Sequence, residues 1–190
     1  MKTFLYLLIL GFGLVIYPKL VLAQNIISDS NEAVKPFKNS VYAELGGNGI
    51  VGSINYERLF YSAYRPTTIV AMRLGFMYLP YKGPAGEPEY MQTIPWEVSV
   101  FWGKKAIKPE IGFGATYFQS YDGPDRYSDE GYTEFLVMPV FRLGIRYDKP
   151  DKHMFWRLGF TPALIIEASS GPPQLFPWGG LSFGYKFGRK

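Results

Sequence analysis

Five groups of residues have the types and spacing that chemistry uses. Gly47-Asn48-Gly49-Ile50-Val51-Gly52 has the GxGxxG spacing that presents the amides of a helix N-terminus to a pyrophosphate. That chemistry needs a helix after the glycines, whereas the residues that follow alternate with period two through Ile54 and Tyr56, so the segment reads as a turn. Gly180-Leu181-Ser182-Phe183-Gly184 has the spacing of a nucleophile elbow, which needs an acid and a histidine downstream. Six residues follow and none is histidine, so Ser182 reads as a small residue on a strand. His153 is the one histidine, and every imidazole mechanism rests on it. Asp122, Asp125, Asp129, Glu130 and Glu134 have the chemistry to gather a hard cation, but their spacing fits no calcium loop. With Tyr121, Tyr127 and Tyr132 among them, they read as a solvated acidic loop or a contact surface. No catalytic residue, cofactor or metal site is expected. The fifth group is the most informative: Glu44, Glu57, Glu97 and Glu110 early in the chain, Arg142, Arg146, Arg157 and Lys186 late, and Arg73 between them.

Composition narrows what can position those charges. The 190 residues carry a net charge of +4, too little to mark a nucleic-acid binder. Aromatic residues make up 18%, with 21 Gly and 15 Pro, the mixture of a turn-rich β protein rather than a helical bundle or a disordered chain. The absence of cysteine excludes disulfides, thiolate zinc sites, cysteine nucleophiles and a lipidated N-terminal cysteine.

Residues 1–23 read as a cleaved signal peptide: Lys2, an apolar run from Phe4 to Tyr17, and small residues at Val21 and Ala23 before Gln24. Residues 24–38 lack apolar periodicity and read as a polar periplasmic leader. No later segment approaches the ~20 apolar residues of a membrane helix. The mature chain is then either soluble and exported or a membrane β-barrel occupying residues 39–190.

Eight stretches alternate with period two, near 39–47, 50–60, 67–79, 92–104, 108–120, 134–147, 153–168 and 177–187. One face is greasy, with runs such as Val70, Met72, Leu74 and Phe76 or Leu181, Phe183, Tyr185 and Phe187. The other carries glycine, serine and the charges named above. An eight-stranded interior has little room for the aromatic face. The pattern therefore predicts an all-β, eight-stranded, antiparallel up-and-down transmembrane β-barrel with its charges in the lumen and its apolar face on lipid. Inner turns are expected at 61–66, 104–107 and 148–152, and outer loops at 80–91, 121–133 and 169–176, after a tight first outer turn at 46–49. An aromatic girdle follows from the greasy face: Tyr78, Trp96 and Tyr117 at the outer rim, and Trp102, Tyr147, Trp156, Tyr185 and Phe187 at the inner. Arg58 lies on the lipid-facing parity near the inner interface. Trp178 breaks parity, and a bulge at Gly179-Gly180 would restore it.

The export signal, the eight alternating strands and the closing Gly180-Leu181-Ser182-Phe183-Gly184-Tyr185-Lys186-Phe187 resemble the small outer-membrane β-barrel proteins of Gram-negative bacteria, the OmpA-type and OmpX-type group. The resemblance implies location in the outer membrane, contact with outer-membrane lipid, and insertion by the barrel-assembly machinery, which reads a terminal aromatic strand. Here Phe187 is that aromatic, displaced by Gly188-Arg189-Lys190. Some barrels of this architecture modify lipid A with a histidine and a serine at the outer surface, whereas His153 is placed at the inner end.

The expected function is a non-enzymatic outer-membrane barrel with a plugged polar lumen and a structural or surface-interaction role through its outer loops. The alternatives are a narrow, porin-like channel for small solutes, a lipid-modifying enzyme, and a soluble exported lipid binder whose greasy face lines a cavity.

Overall fold

Each period-two segment folds as a strand, and strands adjacent in sequence pair in space. A computed structural model describes residues 36–62, 65, 67–84, 86–124, 131–165 and 174–189. The chain divides into Met1–Ala33 and Val34–Lys190, and every described residue belongs to the second unit. The expected signal peptide lies outside the described residues, as do the leader up to residue 35 and Asp125, Tyr127, Asp129 and Glu130.

The strands are β1 (Phe37–Gly46), β2 (Gly52–Tyr61), β3 (Thr68–Lys82), β4 (Pro88–Trp102), β5 (Ile107–Asp122), β6 (Tyr132–Asp148), β7 (Met154–Phe160), β8 (Ala163–Ile165), β9 (Gln174–Phe176) and β10 (Gly179–Arg189). β1 to β7 and β10 form a closed antiparallel eight-stranded barrel, sealed where β10 pairs with β1 from Phe37↔Arg189 to Gly46↔Gly180. β8 and β9 pair with each other beyond β7 and β10 and join β6 through Val140↔Ala163. The turn Gly47–Gly49 between β1 and β2 lies at the end called outer here; His153 lies at the inner end.

The continuous strand expected at 153–168 is interrupted at Thr161-Pro162. Proline has no N–H for the ladder, and the Pro162 carbonyl instead accepts from Phe141 N at 3.1 Å. β3 to β6 run further outward than expected, to Lys82, from Pro88, to Asp122 and from Tyr132, so the 80–91 connection shrinks to a hairpin at 83–87. Pro80, which falls in the outer loop expected at 80–91, is paired with Tyr90 in a stretch of β3 whose pairing with β2 has already ended at Phe76, and proline is tolerated along such an edge. No bulge forms at Gly179-Gly180: the register runs evenly through Gly179↔Phe160 and Gly180↔Gly159. Trp178 precedes β10 and donates its indole N–H to the Ile50 carbonyl at 2.9 Å.

The two faces of the sheet are chemically opposite. Leu45, Ile54, Leu143 and Phe183 are more than half exposed on the outside, while Glu57, Arg146 and Arg157 are 0% exposed inside. The alternation that makes each strand thus separates greasy from charged side chains.

Candidate functional site

The charged interior is built from every wall of the barrel. Glu44 on β1 accepts from Arg73 Nη1 on β3 at 2.8 Å, Arg142 Nη2 on β6 at 2.6 Å and Ser182 Oγ on β10 at 3.1 Å. Arg142 also donates Nε to Glu97 Oε2 on β4 at 3.0 Å, and Arg73 Nη2 reaches the same carboxylate at 3.3 Å. A second group centres on Glu57 of β2. Arg146 grips it with both terminal nitrogens, at 3.0 and 2.8 Å, in the fork geometry that makes such pairs strong. Ser40 and Arg157 complete it at 2.7 and 3.2 Å. Arg157 turns its Nη1 to Glu110 on β5 at 3.1 Å, which Ser99 also contacts at 2.9 Å. The two groups meet at the Tyr42 hydroxyl, which accepts from Arg73 and Arg157, both at 3.1 Å.

The packing around these groups is close. The Arg146 guanidinium lies between the rings of Phe101 and Phe155, at 4.3 and 4.2 Å from their centroids, a cation–π sandwich. A side chain on Gly159 would come within 2.9 Å of Arg142 Nη1, so the glycine on that inward position makes room for the guanidinium.

The structure brings together all of Glu44, Glu57, Arg73, Glu97, Glu110, Arg142, Arg146 and Arg157. Lys186 belongs to a third group at the inner end, where its ammonium contacts Asp148, which also pairs with Lys108 at 3.5 Å. Asp148 falls in the inner turn expected at 148–152, and Lys108, the first residue of the strand expected at 108–120, is not among the charges expected in the lumen. Extending the inward parity by one position, from Arg146 to 148 and from Glu110 back to 108, would have found them. Asn48 was missed as well. The Gly47–Gly49 turn is buried instead of projecting, and Asn48 donates to Glu97 at 2.6 Å while its carbonyl accepts from Thr116 at 2.6 Å. Only the run of turn residues at 46–49 hinted at this.

The eight aromatics expected to form a girdle all lie on the outward face. Tyr147 stacks on Trp156 at 5.5 Å and 10°, Trp96 and Trp102 are each 38% exposed, and Tyr185 and Phe187 lie on the outward face of β10. Tyr117 lies 6.2 Å from Phe135. Arg58 bonds Asn39 Oδ1 at 2.6 Å on the outer surface. His153 sits at the inner turn with Nδ1 2.8 Å from the Lys186 carbonyl and its ring stacked 4.8 Å from Tyr185.

At the outer end, the extensions of β3, β4 and β5 align Tyr78, Tyr90 and Tyr121 in a row with ring centroids 5.5 Å apart at each step. Glu87, Glu89 and Asp122 lie beside it. Partial loss of water and the neighbouring Asp122 charge hold the Glu89 carboxyl above its usual range, against the lowering effect of a hydrogen bond from Tyr81. Among the described residues no three His, Cys, Asp or Glu are placed to hold a metal.

The same fold occurs in Ail, the attachment invasion locus protein of Yersinia pestis, solved in complex with the heparin analogue sucrose octasulfate. The TM-score is 0.53 at 8% sequence identity, covering 80% of this chain and 98% of that one. This likeness is one of fold: a closed barrel of the small eight-stranded outer-membrane type. No protein-family model and no curated protein matches the chain.

Proposed function

We propose that this chain is a non-enzymatic outer-membrane protein of a Gram-negative bacterium that acts by surface contact through the outer extensions of β3 to β6. Export removes residues 1–23, the leader from residue 24 up to the start of β1 at Phe37 remains in the periplasm, two residues shorter than the 24–38 expected from the sequence, and the barrel-assembly machinery recognises β10 with Phe187. The greasy face, bounded by the aromatic girdle, meets outer-membrane lipid, and the paired charges seal the lumen.

The observation that carries this reading is the cross-barrel bonding itself. Arg142 and Arg146 on β6 reach Glu44 and Glu57 on β1 and β2. Side chains thus bridge an interior that eight strands make only wide enough for side chains. A conducting path would require these charges to part, and each would then be left buried and unpaired. The partner chemistry follows from the outer residues. Segments 80–91 and 121–133 hold Glu87, Glu89, Asp122, Asp125, Asp129 and Glu130 against Lys82 and Arg126. Such a surface repels polyanions. The contact partner is therefore a cationic peptide or protein segment, the opposite of the heparin analogue bound to Ail.

Two measurements on the mature protein test this. In SDS, a heat-dependent change in gel mobility is expected of an intact membrane barrel, and recovery from the soluble periplasm without such a change would overturn the membrane reading. In planar bilayers no conductance steps are expected; steps abolished by closing the lumen further would establish a channel instead.

A further inference from the structure

The inward positions of β6 carry Asp148, Arg146 and Arg142, with Gly144 among them, and then turn apolar, with Val140 2% and Met138 6% exposed. With Ile50, Ala163, Phe176 and Trp178 they line a cavity of about 180 Å³ at the outer mouth. Phe176 and Trp178 form one wall, stacked at 5.3 Å and 28°, and Trp178 is fixed by its bond to the Ile50 carbonyl. Ile50 has φ 69, a region that β-branched residues avoid, and the bonds Gly46 N to Val51 O at 2.9 Å and Ile50 N to Gly47 O at 3.1 Å hold it there. The cavity is therefore a built feature and not a slack loop.

One polar group in its lining is unused. Thr161 is 1% exposed and its Oγ1 has no hydrogen-bond partner among the described residues, although its backbone N–H is bonded to the Trp178 carbonyl at 2.7 Å. Asn48, which also lines the space, has both ends of its amide engaged, with Glu97 and Arg142. A buried hydroxyl left without a partner is costly. Among the described residues no charged residue lines the cavity, which favours a neutral ligand. Apolar protein cavities of roughly 150 Å³ accept a benzene-sized ring, and an aromatic ring complements the Phe176–Trp178 wall.

We propose that this cavity binds a neutral single-ring aromatic molecule bearing one hydroxyl, with its ring against Phe176 and Trp178 and its hydroxyl bonded to Thr161 Oγ1. The site is separate from the acidic outer surface and does not depend on the contact role proposed for it.

The test uses the mature full chain in lipid nanodiscs with methyl-labelled methionine, titrated with phenol and with benzene. Met138 lines the cavity, while Met72 and Met154, on the outward face, serve as internal references for ligand dissolved in lipid. Phenol is expected to shift the Met138 methyl saturably and to bind about five-fold tighter than benzene, the value of one net hydrogen bond. Thr161→Val should bring phenol to the affinity of benzene, and Ala163→Leu should abolish the saturable shift by filling the space. Should Ala163→Leu fail to fold, Val140→Ala is the second variant: it enlarges the cavity and should admit naphthol, which the native protein excludes. No saturable Met138 shift, a shift shared equally by Met72 and Met154, or an unchanged phenol preference in Thr161→Val would each overturn the proposal.

Discussion

β3 to β6 each carry two different surfaces along one continuous ladder. Within the barrel, each position belongs either to an enclosed interior, rich in paired charges, or to the greasy exterior: on β6, Arg142 and Arg146 are buried while Phe141, Leu143 and Ile145 are exposed. Beyond Phe76, where β2 stops pairing with β3, the strands continue with no interior to face. Tyr78, Tyr81, Glu89 and Tyr121 occupy the extension, and aromatic rings stack along the strands without enclosing anything. The same main-chain bonding thus persists where side-chain demands differ completely. Closure dictates side-chain chemistry in the barrel, and contact with water or a partner dictates it outside. Substitutions in the first region should therefore register as stability, and those in the second as binding.

The largest expected effect lies at Arg146→Met. It leaves Glu57 buried with one of its two guanidinium partners gone, and breaking such a pair costs about 3–5 kcal/mol. Urea unfolding from lipid vesicles would measure it. The double variant Glu57→Gln with Arg146→Met should recover much of the loss, because no charge is then left alone; a double variant as unstable as the single one would mean that the pairing is not what holds this region. The next effect is on the opposite face of the same strand. Leu143→Arg places a charge in the greasy band and should cost about 2–4 kcal/mol in a bilayer. Were that face in water, the substitution would change the unfolding midpoint hardly at all, so this variant separates membrane barrel from soluble binder.

What the sequence made legible follows from the same division. Strand number, antiparallel order and closure were readable because period two is strict wherever lumen and exterior differ, as from Arg142 to Tyr147. Glu44, Glu57 and Glu97 stood out because Ser53, Asn55, Ser99 and other small or polar residues share their parity. The outermost two to four residues of β3 to β6 fall in the expected outer loops, since alternation fades where no interior exists and since Pro80, Gly83 and Pro88 resemble turn signals. The buried Gly47–Gly49 turn was hidden for another reason. Its fate depends on Glu97, Thr116 and Trp178, remote in sequence, and a glycine-rich tip looks the same whether it folds outward or inward. Trp178 misled because it caps that turn from just outside β10, a position no strand parity governs.

In the outer region the effects should be smaller and of a different kind. Tyr90→Ala removes the middle ring of the Tyr78–Tyr90–Tyr121 row and should destabilise the barrel by only about 0.5–1.5 kcal/mol. Its binding to a lysine-rich peptide should fall much further. Equal losses in both measurements would show that the row is structural.

The smallest stability effect is expected at Glu89→Gln, and its value lies in sign. The Glu89 carboxyl is held above its usual range by loss of water and by Asp122, so the folded hairpin keeps its proton more tightly than the unfolded chain does. Stability from this group is complete at low pH and is lost as pH rises from the ordinary carboxylate value through the raised one. Attraction for a cationic partner runs the opposite way, growing as Glu89 ionises. Glu89→Gln should therefore flatten both pH profiles across that window, making the hairpin slightly less sensitive to rising pH while weakening lysine-peptide binding at neutral pH. Hydrogen exchange of the 83–87 hairpin reads the first and peptide titration across the same pH range reads the second. If both curves moved in the same direction, the acidic surface would be serving the fold rather than a partner, and the distinction between the two regions of these strands would not hold.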